Sequence, residues 1–181
     1  MNENQGSNTK KAARASIPRW VVPFYWVLGL SLAHAAIPWG ISFLSHRLGW
    51  IDGRPGAVNI YSLILVFIGL AIVVWTMVLH FARTAQRVNF ERVPTYLLTQ
   101  GPYRFSRNPM FLGELIIWLG WAFFFGSVAV LIAFLVLVLL INYRVVPREE
   151  RELEARFGDS YVEYMKTVPR WFGIPRNQIE N

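Results

Sequence analysis

No cysteine occurs among the 181 residues, which excludes disulfide staples, thiolate nucleophiles and cysteine metal sites. Histidine is nearly as scarce. His34, His46 and His80 sit on separate segments without ligand spacing, so no metal centre is expected. Charge is thin too. Only 16% of residues are charged against 54% hydrophobic, and mean hydropathy is +0.34, too apolar for an ordinary soluble domain. No internal repeat is visible.

The few charges are confined. Trp20 to Ser45 holds no Asp, Glu, Lys or Arg, Ile60 to Phe81 holds none, and Phe111 to Tyr143 holds only Glu114. The first two runs exceed the ~20 apolar residues that cross a bilayer core. The third is too long for one upright span and carries Gly126-Ser127 near its middle, which suits two short helices. The expected fold is all-α: a polytopic bundle of four membrane helices, at 19–45, 58–82, 109–125 and 128–145, plus amphipathic helices after the last span. A single tilted, kinked helix over 111–143 is the alternative.

Charge placement orients this bundle. Lys10, Lys11, Arg14 and Arg19 precede the first span. Arg83, Arg87, Arg92, Arg104 and Arg107 lie between the second and third. Arg144, Arg148, Arg151, Arg156, Lys166, Arg170 and Arg176 follow the fourth. The opposite loops hold only Arg47 and Arg54. By the positive-inside rule both termini are cytoplasmic, in a bacterial inner membrane in preference to endoplasmic reticulum. The net charge of +7 then reflects topology and attraction to anionic membrane lipid. No base-stacking module or basic recognition helix points to nucleic acid.

Lys10-Lys11-Ala12-Ala13-Arg14, an apolar stretch and Ala33-His34-Ala35 imitate a cleaved secretory signal. Pro23 with Trp20, Trp26 and Trp39 fits a kinked permanent helix with interfacial aromatics better. Residues 1–16 read as a disordered cytoplasmic tail, 17–172 as one membrane domain, and 173–181 as a C-terminal tail. Oligomeric state is not legible.

Two polar segments flank the third hydrophobic block, and on a hairpin both emerge on one side of the bilayer. In the first, Gly101-Pro102-Tyr103 is a turn by composition. Asn108-Pro109 then opens a helix, with Asn at the N-cap and Pro in the first turn. This reads either as an ordinary boundary or as an anion site, where helix-start N–H groups join Arg104 and Arg107 to hold a carboxylate or phosphate.

The second segment, Arg144 to Glu150, has the same two readings. Pro147 can start a helix whose first turn holds Glu149 and Glu150, with Arg148–Glu152 and Glu152–Arg156 pairs on a solvated face. Leu153 and Phe157 bury its other side, and Gly158 caps its C-terminus. Ser160 with Glu163 makes a capping box for a further helix ending before Pro169. Adjacent carboxylates there can also bind an ammonium or ribose hydroxyls, with Tyr161 and Tyr164 offering faces to a cation.

GPYRFSRNPMFLG at 101–113 and EERELEARFGDSYVEYMKTVPRW at 149–171 together resemble the isoprenylcysteine carboxyl methyltransferase family and its phospholipid methyltransferase relatives. The likeness covers roughly 90–172. It implies an integral membrane S-adenosylmethionine-dependent methyltransferase, with the cofactor in a cytoplasmic pocket between the motifs and a lipophilic acceptor entering from the bilayer. That acceptor is a prenylcysteine-like carboxylate, a phospholipid amine or a thiol.

Carried over by position, the implied cofactor contacts are Thr95, Tyr96, Leu97, Leu98, Gly101, Tyr103, Arg107, Asn108, Pro109, Met110, Phe111 and Glu149. Two positions depart from the pattern: Asn108 stands where His is usual and Phe111 where Tyr is usual. Asn still caps and hydrogen-bonds but cannot act as an acid or base near neutral pH. The family's substrate-side arginine falls nearest Arg144. In-line methyl transfer needs alignment and exclusion of water more than side-chain chemistry. An amine acceptor must additionally lose a proton, for which Glu114, Glu149 and Glu150 are candidates. Glu114 lies at membrane depth, where an ionisable group is a functional candidate by default. An NADPH-dependent membrane sterol or enone reductase, which has a related Arg-His-Pro segment followed by Gly-Glu, and a non-catalytic scaffold are the alternatives.

Overall fold

The computed structural model describes residues 17–18, 29, 32–83, 87–88 and 96–174. The basic tail at 1–16 and most of the first expected span lie outside them. From residue 32 that span continues as a π-helical turn (Leu32–Ala36), α1 (Ile37–Ile41) and a 3₁₀ turn (Ser42–Leu44). The fold is mostly helical, as expected, with two short ribbons beside the helices. β1 (Ile17–Pro18) pairs antiparallel with β4 (Arg87–Val88), and β2 (Trp50–Ile51) with β3 (Arg54–Pro55) across Asp52-Gly53. Two-residue strands carry no hydropathy period, so the sequence pattern could not announce them.

The second span runs as α2 (Ala57–Tyr61) and α3 (Leu63–Arg83), followed by α4 (Pro109–Phe125) and α5 (Val128–Leu140). Two helices, Ala57–Ala82 and Val128–Phe157, are long and apolar enough to cross a membrane, and Pro109–Phe125 is a shorter apolar one. They are not core helices of a soluble protein. Only 22% and 6% of their apolar windows are buried; Phe67, Trp75 and Val78, and Ile132, Leu135 and Leu139, face outward. Bilayer hydrocarbon is the solvent that such faces suit.

The single-helix alternative over 111–143 is excluded. Gly126 takes φ +55°, and a Cβ there would collide with the carbonyl of Leu48. Ser127 then caps α5 by accepting from the Val130 N–H at 3.3 Å. Around this turn Leu48 N–H donates to Gly126 O at 2.9 Å. Asn59, nearly fully buried, donates to the carbonyls of Leu48, Phe123 and Phe124 at 3.1, 3.0 and 3.0 Å. The Arg47 guanidinium stacks over Phe43 and Trp50 at 4.3 and 5.0 Å.

α3 and α4 touch backbone to backbone. A Cβ on Gly69 would sit 2.5 Å from Gly113 O, and one on Gly113 would sit 2.8 Å from Gly69 O. In lipid, where helix association rests on close packing, small residues are what permit this approach. Val73 and Thr76 are fully buried beside it, and Thr76 returns its hydroxyl to Ile72 O at 2.8 Å.

Pro147 does not start a separate helix. α5 passes through a π-helical turn (Ile141–Val145) directly into α6 (Val146–Phe157). Proline removes one ladder N–H and crowds the preceding turn, and the widened turn, with Val146 N–H donating to Ile141 O, absorbs it. Arg148 pairs with Glu152 at 3.0 Å as expected. Gly158 ends α6 at φ +54°, but the Ser160 capping box is absent. α7 (Asp159–Thr167) begins two residues earlier, with Gly158 at the N-cap and no side-chain cap, and Glu163 instead pairs with Lys166 at 3.0 Å.

Candidate functional site

At the end of the bundle away from Gly126, five pieces of chain converge: the last turn of α3, the 3₁₀ turn Gly101–Arg104, the start of α4, the first turns of α6, and α7 with the segment after it. The C-terminal segment is sewn to the α4 entry. Arg107 N–H donates to Pro169 O at 3.0 Å, and Gly173 N–H to Phe105 O at 3.0 Å. Ser106 Oγ donates to Arg170 O at 3.3 Å. Trp171 Nε1 donates to Asn142 Oδ1 at 3.1 Å, tying the same segment to the π-turn.

The expected cap at Asn108 is corrected. Its side chain leaves the helix start and donates from Nδ2 to Arg170 O at 3.1 Å. Its own N–H is taken by Ser106 Oγ at 3.0 Å. The partly buried Arg170 carbonyl at this junction takes donors, and the Asn amide provides one. Pro109 is buried, while Met110 and Phe111 are partly buried on the first turn of α4.

Glu150 is buried and held by two arginines. Arg170 closes on it in fork fashion, Nη2 to Oε2 at 2.6 Å and Nε to Oε1 at 3.2 Å. Arg107 Nη1 stands 3.0 Å from Oε1. With both oxygens engaged by guanidinium groups, Glu150 is an anchor between α6, the α4 entry and the C-terminal segment. Burial and the Glu150 charge push the Tyr161 phenol up to about 12, against the opposing effect of Arg107.

Glu149, next along α6, is half-buried and outside the apolar part of that helix. Burial, with Glu152 and Glu150 nearby, holds its carboxyl above the usual range. Its charge also reaches Tyr103, whose phenol burial raises. Glu114 is partly buried on α4 and lies within electrostatic reach of Glu149. Arg144, by contrast, is exposed on the π-turn.

Tyr103 is fixed at both ends. Its carbonyl accepts from the Tyr164 hydroxyl at 2.7 Å, and its own hydroxyl lies 2.7 Å from His80 Nε2. Tyr96 faces the other ring nitrogen, Nδ1, at 3.3 Å and donates to His80 O at 3.2 Å. Leu98 is buried, and Leu97 packs on Tyr161, Tyr164 and Val168. Gly101 opens the 3₁₀ turn carrying Tyr103. Thr95 lies outside the described residues.

His80, Ser106, Asn142 and Arg170 were not singled out from sequence. His80 had a usable signal, since an imidazole at the charged end of an apolar run needs polar partners, but the tyrosines that supply them are distant in the chain. No group of metal-ligating side chains occurs among the described residues.

S-adenosylmethionine carries a carboxylate, an ammonium, a sulfonium and ribose hydroxyls, and the side chains present fit these groups. Arg107 Nε is buried without a hydrogen-bond acceptor, and Nη1 meets Glu150 outside hydrogen-bond geometry. Such guanidinium donors suit a carboxylate. Glu149 offers the complementary negative charge.

Comparison with known proteins agrees. The family model for phospholipid methyltransferases matches residues 58–160. An uncharacterized protein of Haemophilus influenzae is 37% identical over 62 residues, covering 34% of this chain and 98% of that protein. The chain belongs to the phospholipid methyltransferase family. It is an S-adenosylmethionine-dependent methyltransferase of a membrane protein family whose acceptors are lipids, and the NADPH-reductase alternative falls.

Proposed function

We propose that this member of the phospholipid methyltransferase family methylates the amine of a membrane lipid, in a bundle of four membrane helices with both termini cytoplasmic. The observation that carries the reading is Arg107 at the entry to α4, whose Nε is buried without a hydrogen-bond acceptor, beside Glu150 and the phenol of Tyr161. The basic loops of the sequence support the orientation, and the relative in Haemophilus influenzae supports a bacterial membrane.

When bound, S-adenosylmethionine supplies an electrophilic methyl group on a sulfonium. Arg107 would hold its carboxylate and Glu149 its ammonium or ribose hydroxyls. Tyr96, Leu97, Leu98, Gly101, Tyr103 and the Asn108 to Phe111 turn would line the pocket. Glu114, a carboxylate at membrane depth on α4, gives a lipid ammonium a counter-charge and keeps it near the bilayer-facing side. Glu150 positions Arg107, and exposed Arg144 meets the lipid phosphate at the membrane surface. A carboxylate acceptor would need neither Glu114 nor any base, which is why the amine is preferred to a prenylcysteine-like acid or a thiol.

The test is calorimetric titration of detergent-purified protein with S-adenosylhomocysteine, followed by methyl transfer to vesicles containing phosphatidylethanolamine or to a prenylcysteine analogue. Binding with transfer to the amine lipid supports the reading. Transfer only to the carboxylate or a thiol refutes the acceptor, and absence of binding refutes the site.

A further inference from the structure

Glu150 is committed to two arginines, and the reading above gives Glu149 to the cofactor and Glu114 to the acceptor's counter-charge, so the acceptor's proton needs another destination. The structure holds a hydrogen-bonded chain that none of the sequence motifs contains. Tyr103 Oη and His80 Nε2 are 2.7 Å apart, short enough for a strong hydrogen bond. On the far side of the ring, Tyr96 Oη lies 3.3 Å from Nδ1 and 3.2 Å from His80 O.

The two Tyr96 contacts are made together by one tautomer of His80. A carbonyl only accepts, so the Tyr96 hydroxyl donates to His80 O, and its oxygen is left to accept from an Nδ1–H. Neutral imidazole carries one proton, so Nε2 is then bare and accepts from the Tyr103 hydroxyl. The Tyr103 and Tyr96 hydroxyls both donate to His80, and the Nδ1–H points away to the Tyr96 oxygen, so the Tyr103 oxygen receives no hydrogen within the chain. That oxygen keeps a lone pair for a further donor, on a residue whose electrostatic neighbour is Glu149.

We propose that His80 is the proton store of the methyl-transfer site, loaded through the Tyr103 hydroxyl by the ammonium group of the lipid acceptor. The proposal rests on the amine reading above. An N–H bond of the ammonium breaks and an O–H bond forms on Tyr103. The original Tyr103 O–H breaks as an N–H forms on His80 Nε2. A neutral amine with a free electron pair and an imidazolium result, so charge balances. Between turnovers the imidazolium returns its proton to water at the polar end of α3. Tyr103 is the group that touches the acceptor. His80 acts through it, and Tyr96 holds the ring in the receptive tautomer.

Two measurements test this. The first is the ¹⁵N NMR spectrum of histidine-labelled protein, its three imidazoles assigned by single substitutions. The expected signature for His80 is a protonated Nδ1 and a bare, hydrogen-bonded Nε2. A protonated Nε2 in the neutral ring has no electron pair to give and overturns the relay.

The second is kinetics of His80→Gln with phosphatidylethanolamine vesicles, beside calorimetry with S-adenosylhomocysteine. A lost general base typically costs at least ~10²-fold, so kcat should fall by about that factor. KM for the lipid and the affinity for S-adenosylhomocysteine should stay within about threefold of the unsubstituted protein. Unchanged kcat overturns the relay and leaves the methyltransferase reading standing. Parallel loss of kcat and homocysteine binding assigns His80 a purely architectural role and also overturns it. If the unsubstituted protein binds S-adenosylhomocysteine but methylates no amine, the amine reading falls and takes the relay with it.

Discussion

Arg170 reaches Glu150 with two hydrogen bonds, 2.6 and 3.2 Å long, and so ties the segment after Pro169 to the first turns of α6. Arg107 approaches the same carboxylate from the α4 entry. Two arginines around one glutamate leave a surplus positive charge in a largely buried place. That charge suits an anionic ligand group, and it makes the carboxylate the hinge of the local structure.

Glu150→Ala should therefore be the most damaging substitution near the site. Removing one partner of a buried ion pair typically costs ~3–5 kcal/mol, because the remaining charge is stranded. Arg170→Ala should cost far less, since its side chain is 38% exposed and water can replace the lost pair. Thermal melting in one detergent checks both. Equal losses for the two variants would contradict the hinge role.

Glu149→Gln should leave the fold intact and weaken S-adenosylhomocysteine binding by at least ~10-fold, the equivalent of one charged hydrogen bond. The pH dependence has a definite sign. Burial and the neighbouring Glu152 and Glu150 hold the Glu149 carboxyl above the usual range. As pH falls through that raised value the carboxylate takes up a proton and loses its charge. Affinity should then begin to drop above the ordinary glutamate value of about 4.3, and Glu149→Gln should lack that step. Calorimetry across the acidic range reads it directly.

The hairpin was legible because its cues are local: an apolar run, a Gly-Ser break, and Asn-Pro at the start of α4. The expected limits of 109–125 for that helix match Pro109–Phe125. What stayed hidden depends on residues far apart in sequence. Nothing local in Asn108 distinguishes a helix cap from a donor to Arg170 O, 62 positions away. Likewise the partners of His80 lie 16 and 23 residues downstream. Pro147 misled in a different way, because the rule that proline starts a helix does not foresee a π-turn that lets the helix continue.

Gly113→Ala tests the backbone contact between α3 and α4. The added methyl would sit 2.8 Å from both Gly69 O and Val73 Cγ2, and neither a helix carbonyl nor a fully buried valine can yield freely. Overpacking of this kind costs ~1–3 kcal/mol. A lower melting temperature is expected, with S-adenosylhomocysteine binding largely retained in the fraction that folds. A neutral effect would mean that the helices separate easily, against the glycine packing described.

Asn59→Leu tests the other end of the bundle. One amide group there serves the carbonyls of Leu48, Phe123 and Phe124, and an isosteric apolar side chain would leave them without it. Stranding buried acceptors costs ~1–3 kcal/mol, and melting in detergent should show a loss of that size. The proposed methyl-transfer site is at the opposite end, so affinity for S-adenosylhomocysteine should be unchanged below the melting range.

Asn108→His returns the side chain usual at this position in the family pattern, and the contacts of Asn108 state what should follow. The amide contributes a donor to Arg170 O at 3.1 Å, and an imidazole N–H can donate to the same carbonyl. Melting temperature should hardly move, and affinity for S-adenosylhomocysteine should stay within about threefold. Asn108→Leu removes the donor and leaves Arg170 O with Ser106 Oγ at 3.3 Å, a loss of ~1 kcal/mol. If the position serves only to pin the C-terminal segment, histidine should not raise kcat. A rise of tenfold or more in Asn108→His would instead mean that a titrating group here joins the chemistry, and that asparagine is a genuine loss in this chain.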